Sequence, residues 1–296
     1  MRKKIDILQD IFTSYLFVIP ALILFFIFSL YPIFKVFEIS FFNWDGIAIN
    51  MRFIGFDNFK EVLSNKIWWQ SVFNATYITI LALIFQNSLA LFLAFCCDRD
   101  IKGAKAYRVI FYLPPVLSGI VVGLIWNWIY DGSYGLFNHI ISMIGLGDLT
   151  RAWLADPKTA LIAVAIIHMW KGFGWGFVIL LAGLQGISRD YYEAATIDGA
   201  SSFQTFMKIT VPLMIPIFFL VSILTILGTM QIYDLIISTT QGGPGYHTEV
   251  PVTRILAAMT GTSRFGYACA MSLVFGTVLL FLSIFQLKIS KKIENR

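Results

Sequence analysis

The chain alternates long runs free of Asp, Glu, Lys and Arg with short segments in which those residues collect. Five runs are uninterrupted: Ile11 to Phe34, Ile67 to Cys97, Val109 to Tyr130, Ile209 to Tyr233 and Phe265 to Leu287. A sixth, Thr159 to Ser188, is broken only by Lys171 and is too long and apolar for a loop. Crossing the hydrocarbon of a bilayer takes about 20 apolar residues, so the pattern predicts an all-α, polytopic integral membrane protein of six transmembrane helices. The stretch Ser133 to Gly147 is apolar but short and broken by glycine, which predicts an interfacial or partly buried helix. The first run exceeds the core of a signal peptide and precedes no small-residue cleavage site, so it is expected to remain as an anchor. These boundaries predict a tail at 1–10, a transmembrane domain at 11–288 and a second tail at 289–296.

Composition excludes the main alternatives. Of 296 residues, 58% are apolar and 13% charged, about half the charged share of an ordinary soluble domain, and the mean hydropathy is +0.76. So thin a polar shell cannot cover a water-soluble globule, and the same values exclude disorder, collagen and a coiled coil. Three cysteines, Cys96, Cys97 and Cys269, form neither a fully paired disulfide framework nor a zinc site and read as reduced packing residues. The pI near 9.0 does not point to nucleic acid, because the basic residues form no stripe interleaved with exposed aromatics. Their distribution instead sets orientation: with six spans, the segments on the side of both termini hold 13 Lys and Arg and the opposite segments hold 8. The positive-inside bias then predicts both termini in the cytoplasm.

On that side, the segment Gln185 to Thr210 reads as two short helices about a glycine turn. Asp190 with Glu193 resembles a capping pair, Ala194 and Ala195 favour helix, and Gly199 is placed to stop it in a left-handed conformation. Ser201 with Gln204 is suited to start a second helix running toward Pro212.

Glu193-Ala194-Ala195, Asp198-Gly199-Ala200 and Ile209 with Pro212 resemble the EAA loop of binding-protein-dependent ABC importers. Leu181-Ala182-Gly183-Leu184-Gln185, Gly242-Gly243-Pro244, Phe41-Phe42-Asn43-Trp44 and Phe56-Asp57-Asn58-Phe59 extend the resemblance to the maltose-permease-like subunits of sugar importers. Ser188 departs from the proline that many such proteins carry there, which bears on the entry turn. An EAA triplet alone would read as an ordinary solvated helix; its position between two independently assigned spans makes the match specific.

The resemblance implies a type I ABC importer permease fold, with the 185–210 loop coupling the membrane part to a separate ATPase through Glu193, Ala194, Ala195, Asp198, Gly199 and Ala200. It also implies a second permease subunit, two ATPase subunits, an extracytoplasmic solute-binding protein and a bacterial plasma (inner) membrane. The chain holds no GxxxxGK[ST] phosphate loop, in keeping with ATP hydrolysis on another polypeptide. The opposite-side segments Lys35 to Lys66 and 238–262 mix aromatics, glycine and polar groups; interfacial aromatics such as Phe41, Trp44, Trp68 and Trp69 explain them as well as binding does, and the resemblance favours docking of a binding protein.

An unpaired Lys171 at mid-span costs at least about 2.5 kcal/mol, so it is expected to face a cavity or a partner. His168, Lys171 and Trp175 fall at i, i+3 and i+7 on one helical face, and Thr225, Gly228, Thr229 and Ile232 make a comparable stripe on the fifth span. Imidazole, ammonium and indole suit sugar hydroxyls and C–H faces, and these positions resemble substrate-lining positions of the maltose-type permease. Two other readings stand beside that one: close helix packing by Thr and Gly, and Lys171 pairing with Asp234 or snorkelling along Trp170. A cationic Lys171 also suits a uronate or a sugar phosphate.

Two other function classes are weaker. The three histidines, His139, His168 and His247, lie in separate segments, and neither HExxH nor GxSxG occurs, so no catalytic or metal site and no cofactor is expected. An ion-coupled secondary transporter needs intramembrane acids, for which Asp234 is the sole candidate.

Overall fold

A computed structural model describes residues 15–98 and 103–294. The tail 1–10, the first residues of the first predicted span, Arg99, Lys102 and Arg296 lie outside the described residues. In chain order, helix α1 (Tyr15–Ile39) leads to a ribbon of β1 (Phe42–Asn43) and β2 (Arg52–Phe53) and then to α2 (Asp57–Ser64). The helices α3 (Lys66–Asp98), α4 (Ala104–Val116), α5 (Gly119–Ile129), α6 (Leu136–Met143) and α7 (Ala160–Gln185) follow. Beyond them come α8 (Arg189–Ile197), α9 (Ser202–Met230), α10 (Asp234–Thr239), α11 (Pro251–Thr260) and α12 (Phe265–Glu294). Among the described residues α1, α3, α7, α9 and α12 are long and apolar enough to cross a membrane, and α4 with α5 counts as a sixth if taken as one broken span.

The third predicted span therefore needs correction. Val109 to Tyr130 is two helices bent by 96°, and the chain leaves α4 through Leu117 in an extended conformation. Pro114 and Pro115 weaken the last turn of α4, since neither donates a backbone N–H to the carbonyls of Ile110 and Phe111, and the helix ends just beyond them at Val116. The apolar stretch after it does hold a short helix, α6. Its buried Asn138 donates to the carbonyls of Gly132 (3.1 Å) and Arg151 (3.0 Å) and accepts from the Trp153 indole at 2.7 Å.

The chain divides into two compact units, one holding residues up to Ser64 with Ile255–Gly276, the other Asn65–Arg254 with the residues from Thr277. In the first unit β1 pairs antiparallel with β2, and the buried Asn58 side chain donates to the carbonyls of Ser40 (2.8 Å) and Phe42 (3.0 Å). Phe41 packs edge-on against Phe37 and Phe56, and Arg264 makes two hydrogen bonds of 2.7 and 2.6 Å to the Glu61 carboxylate. The arginine holds the Glu61 carboxyl below the usual carboxylate range. The motifs around Phe41 and Asn58 thus build the loop's own core.

In the second unit α7 is the central helix. Phe177, Leu180, Leu181 and Leu184 of α7 form one buried cluster with Ala90, Ala94 and Cys97 of α3 and Met214 and Val221 of α9. Cys96 is exposed and all three cysteines are free. Trp68, expected among interfacial aromatics, is fully buried, whereas Trp69 is exposed. Glycines on α7 admit its neighbours: a methyl at Gly174 would strike the Phe111 carbonyl oxygen and lie 2.7 Å from Pro115 Cγ, and one at Gly176 would lie 3.3 Å from both Ala90 and Val221. Small residues permit such approach between membrane helices. Gly174→Ala is expected to destabilise by about 1–3 kcal/mol through overpacking, lowering the Tm of detergent-purified protein. Gly228→Ala, where a methyl meets nothing within 4 Å, should leave the Tm nearly unchanged.

Candidate functional site

Two features of the second unit collect the sequence-predicted residues. The first is a cavity of ≈ 520 Å³ whose wall includes all seven pathway positions: His168, Lys171, Trp175, Thr225, Gly228, Thr229 and Ile232. Its size lies within the ordinary range of small-molecule sites. α7 and α9 are joined across it by a hydrogen bond of 2.9 Å between His168 Nε2 and Thr229 Oγ1. Trp175 is held edge-on against Tyr112 of α4 at 5.4 Å and keeps 55% of its surface exposed.

Competing readings of these residues separate on the geometry. Gly228 is exposed with open space over its Cα, so it does not serve close packing within this chain. Thr225 does pack: its hydroxyl lies 3.0 Å from Asn87 Oδ1 and 2.9 Å from the Val221 carbonyl. Among the described residues no ion pair of 4.0 Å or less joins Lys171 to Asp234. Asp234 instead accepts from the Leu235 amide at the start of α10, and its carboxylate occupies the space that a side chain at Gly119 of α5 would need.

Ile232 calls for a correction. α9 ends at Met230, and Ile232 lies in the non-helical link to α10. It reaches the cavity because the chain turns there, with its N–H donated to the Thr229 carbonyl at 3.1 Å, and not through an i+7 helical relation. Sequence reasoning missed Gln86 and Gly172, which also line the cavity, and the place of Asp234 in its wall. Gln86 closes a π-helical turn, Ala82–Gln86, within α3. A regular 3.6-residue period does not reveal the face on which such a turn leaves the next residues.

The second feature is the segment 185–210. α8 ends in a Schellman motif: Gly199 has φ +74, its N–H donates to the Thr196 carbonyl (3.1 Å), and the Ala200 N–H donates to the Ala195 carbonyl (2.9 Å). Ser201 and Gln204 form a reciprocal capping box at the start of α9. The entry cap differs from expectation. Ser188 accepts the Asp190 N–H at 3.3 Å, so the serine at the departure from the resembled pattern is the N-cap, and Asp190 sits inside the first turn. Glu193, Ala194, Asp198 and Gly199 are exposed and Ala200 half-buried, whereas Ala195 is buried and unavailable to a partner. The apolar surface here comes instead from Tyr191, Ile197 (86% exposed) and Phe203 (70%). Tyr192 Oη and Thr210 Oγ1, 3.1 Å apart, tie α8 to α9.

Comparison with known proteins agrees with this architecture. Residues 86–295 match the family described as binding-protein-dependent transport system inner membrane component. A probable ABC transporter permease protein, YurN of Bacillus subtilis, is 32% identical over 96% of this chain and 97% of its own. The trehalose/maltose transport system permease protein MalF of Thermococcus litoralis is 31% identical, covering 94% and 93%. The structure of a bacterial ABC transporter involved in import of the acidic polysaccharide alginate superposes with a TM-score of 0.83 at 23% identity, over 99% of both chains, and shares the fold. The chain belongs to the family of binding-protein-dependent transport system inner membrane components and is a permease subunit of an ABC transport system. This sets aside the ion-coupled alternative.

Ser201→Ala removes the acceptor for the Gln204 N–H, a loss of about 1 kcal/mol in cap stability. Amide hydrogen exchange over residues 201–205 is expected to speed up several-fold; unchanged exchange would show that the cap contributes nothing.

Proposed function

We propose that this subunit carries a sugar or oligosaccharide, delivered by an extracytoplasmic binding protein, through the cavity between α7 and α9 by alternating access. The observation that carries the reading is the convergence of an imidazole, an ammonium and an exposed indole on one cavity wall. Such a set offers hydrogen bonds to hydroxyls and an aromatic face to C–H groups. The trehalose/maltose permease of Thermococcus litoralis, aligned over nearly the whole chain, supports the choice of substrate class. A second reading, an anionic saccharide, is favoured by one feature: Lys171 lines the cavity without an ion-pair partner among the described residues.

The complete transporter in this reading pairs the chain with a second permease and two ATPase subunits in a bacterial inner membrane, both termini facing the cytoplasm. The ATPases grip the 190–210 segment through Glu193, Ala194, Asp198 and the apolar Tyr191, Ile197 and Phe203. Movement of α8 is passed to α9 through the Tyr192–Thr210 contact, and from α9 to the cavity wall.

Thermal-shift screening of the cognate binding protein against mono- and oligosaccharides tests the substrate class: stabilisation by none of them, with stabilisation by another solute class, would overturn it. Gly199→Val places a β-branched residue at φ +74, a conformation such residues avoid. ATP-driven uptake should be lost while membrane insertion and subunit assembly persist, and wild-type uptake would defeat the coupling role. Lys171→Met is expected to change the ranking of transported saccharides, with acidic ones losing most, while ATPase binding is retained.

A further inference from the structure

One polar side chain in the cavity is assigned by neither the sequence pattern nor the resemblance. Gln86 is only 6% exposed, lines the cavity, and its amide oxygen has no hydrogen-bond partner. A buried acceptor left unpaired costs about 1–3 kcal/mol, a burden that an aliphatic residue of similar size would avoid. The surroundings make room for it. Gly172 of α7 lies opposite, and a methyl there would stand 2.5 Å from that oxygen and 3.0 Å from the amide nitrogen. The π-helical turn that Gln86 closes sets it beside Asn87, which is fully buried, receives the Thr225 hydroxyl and leaves its own amide nitrogen unpaired. Two neighbouring carboxamides with unused hydrogen-bonding capacity thus stand where α3 meets the α7–α9 wall.

We propose that Gln86 is a specificity-determining residue for the transported saccharide, its carboxamide turning to accept a hydrogen from one sugar hydroxyl while Gly172 keeps the space for that movement. The inference rests on the cavity being the saccharide path. A carboxamide carries no charge, so at this point it recognises a hydroxyl by hydrogen bonding, whereas the ammonium of Lys171 favours an acidic group of the ligand.

The test uses the complete transporter, with its ATPases and binding protein, in proteoliposomes. Maltose, trehalose and maltotriose are the probes, and monodeoxy analogues of whichever is transported serve as competitors. Because the binding protein is common to every sample, its preference cancels when wild type and variant are compared. Wild type should favour the parent sugar over at least one analogue by about tenfold, the worth of one hydrogen bond to an otherwise unpaired group. Gln86→Leu should erase that preference by slowing the parent and not the analogue. Gln86→Glu, which keeps an acceptor, should retain it, whereas a packing residue would tolerate Leu and suffer from Glu. Gly172→Ala, which displaces the amide, should act like Gln86→Leu and supplies the same reading if that variant fails to assemble. Parent-to-analogue ratios within twofold of wild type for every analogue in both variants would overturn the proposal while leaving the saccharide reading intact. A wild-type transporter that moves none of the probes, with a binding protein stabilised by another solute class and by no saccharide, would remove that reading and this inference with it.

Discussion

The close approach that α7 allows governs the rest of the second unit. In lipid, helices gain little from hiding apolar surface from one another, so association depends on contact made by small residues and on satisfied polar groups. Gly174 and Gly176 give α7 two such faces, one taking the Phe111 carbonyl and Pro115 from α4, the other taking Ala90 of α3 and Val221 of α9. Side chains at these points would part the helices and with them the cavity wall. The bend between α4 and α5 lies close to the same contact, because Pro115, in the last turn of α4, is the residue seated on Gly174.

A cavity in such a setting has to hold its polar groups without water on every side. His168 and Thr229 satisfy each other across two helices, and Thr225 turns to Asn87 and to its own helix. Asp234, the first residue of α10, places its carboxylate in the gap left by Gly119 and accepts from the Leu235 N–H. Among the described residues Lys171 lines the cavity without an ion pair and Gln86 with an unpaired oxygen. In a low-dielectric site, groups left in that state are the ones with most to gain from a ligand.

The 185–210 segment is shaped by local means. Its turn is closed by backbone hydrogen bonds around a left-handed glycine, its second helix starts from a reciprocal cap, and a side-chain contact fixes it to α9. α9 runs from this cap to the cavity as one helix, with the π-helical turn at Phe206–Thr210 and then Pro212 and Pro216 as the places where it is most easily deformed.

The positions of the long helices were legible in the chain because a charge inside hydrocarbon is costly, and runs without charge therefore mark what can lie there. The glycine stop at 199 and the capping box at 201 were legible for a similar reason: both depend on backbone chemistry within a few residues. Where the chain turned against expectation, local backbone chemistry that hydropathy does not register was at work, as with Pro114 and Pro115 in the third window. In other cases two residues could serve and the turn selected one, as with Ser188 over Asp190 at the cap. Ile232 and Gln86 lay beyond any reading by period, since one enters the cavity through a break and the other follows a π-helical turn. Hydropathy and capping act over a few residues and are written along the chain, whereas which polar groups share a cavity, and which are left unpaired there, depends on contacts between helices far apart in sequence.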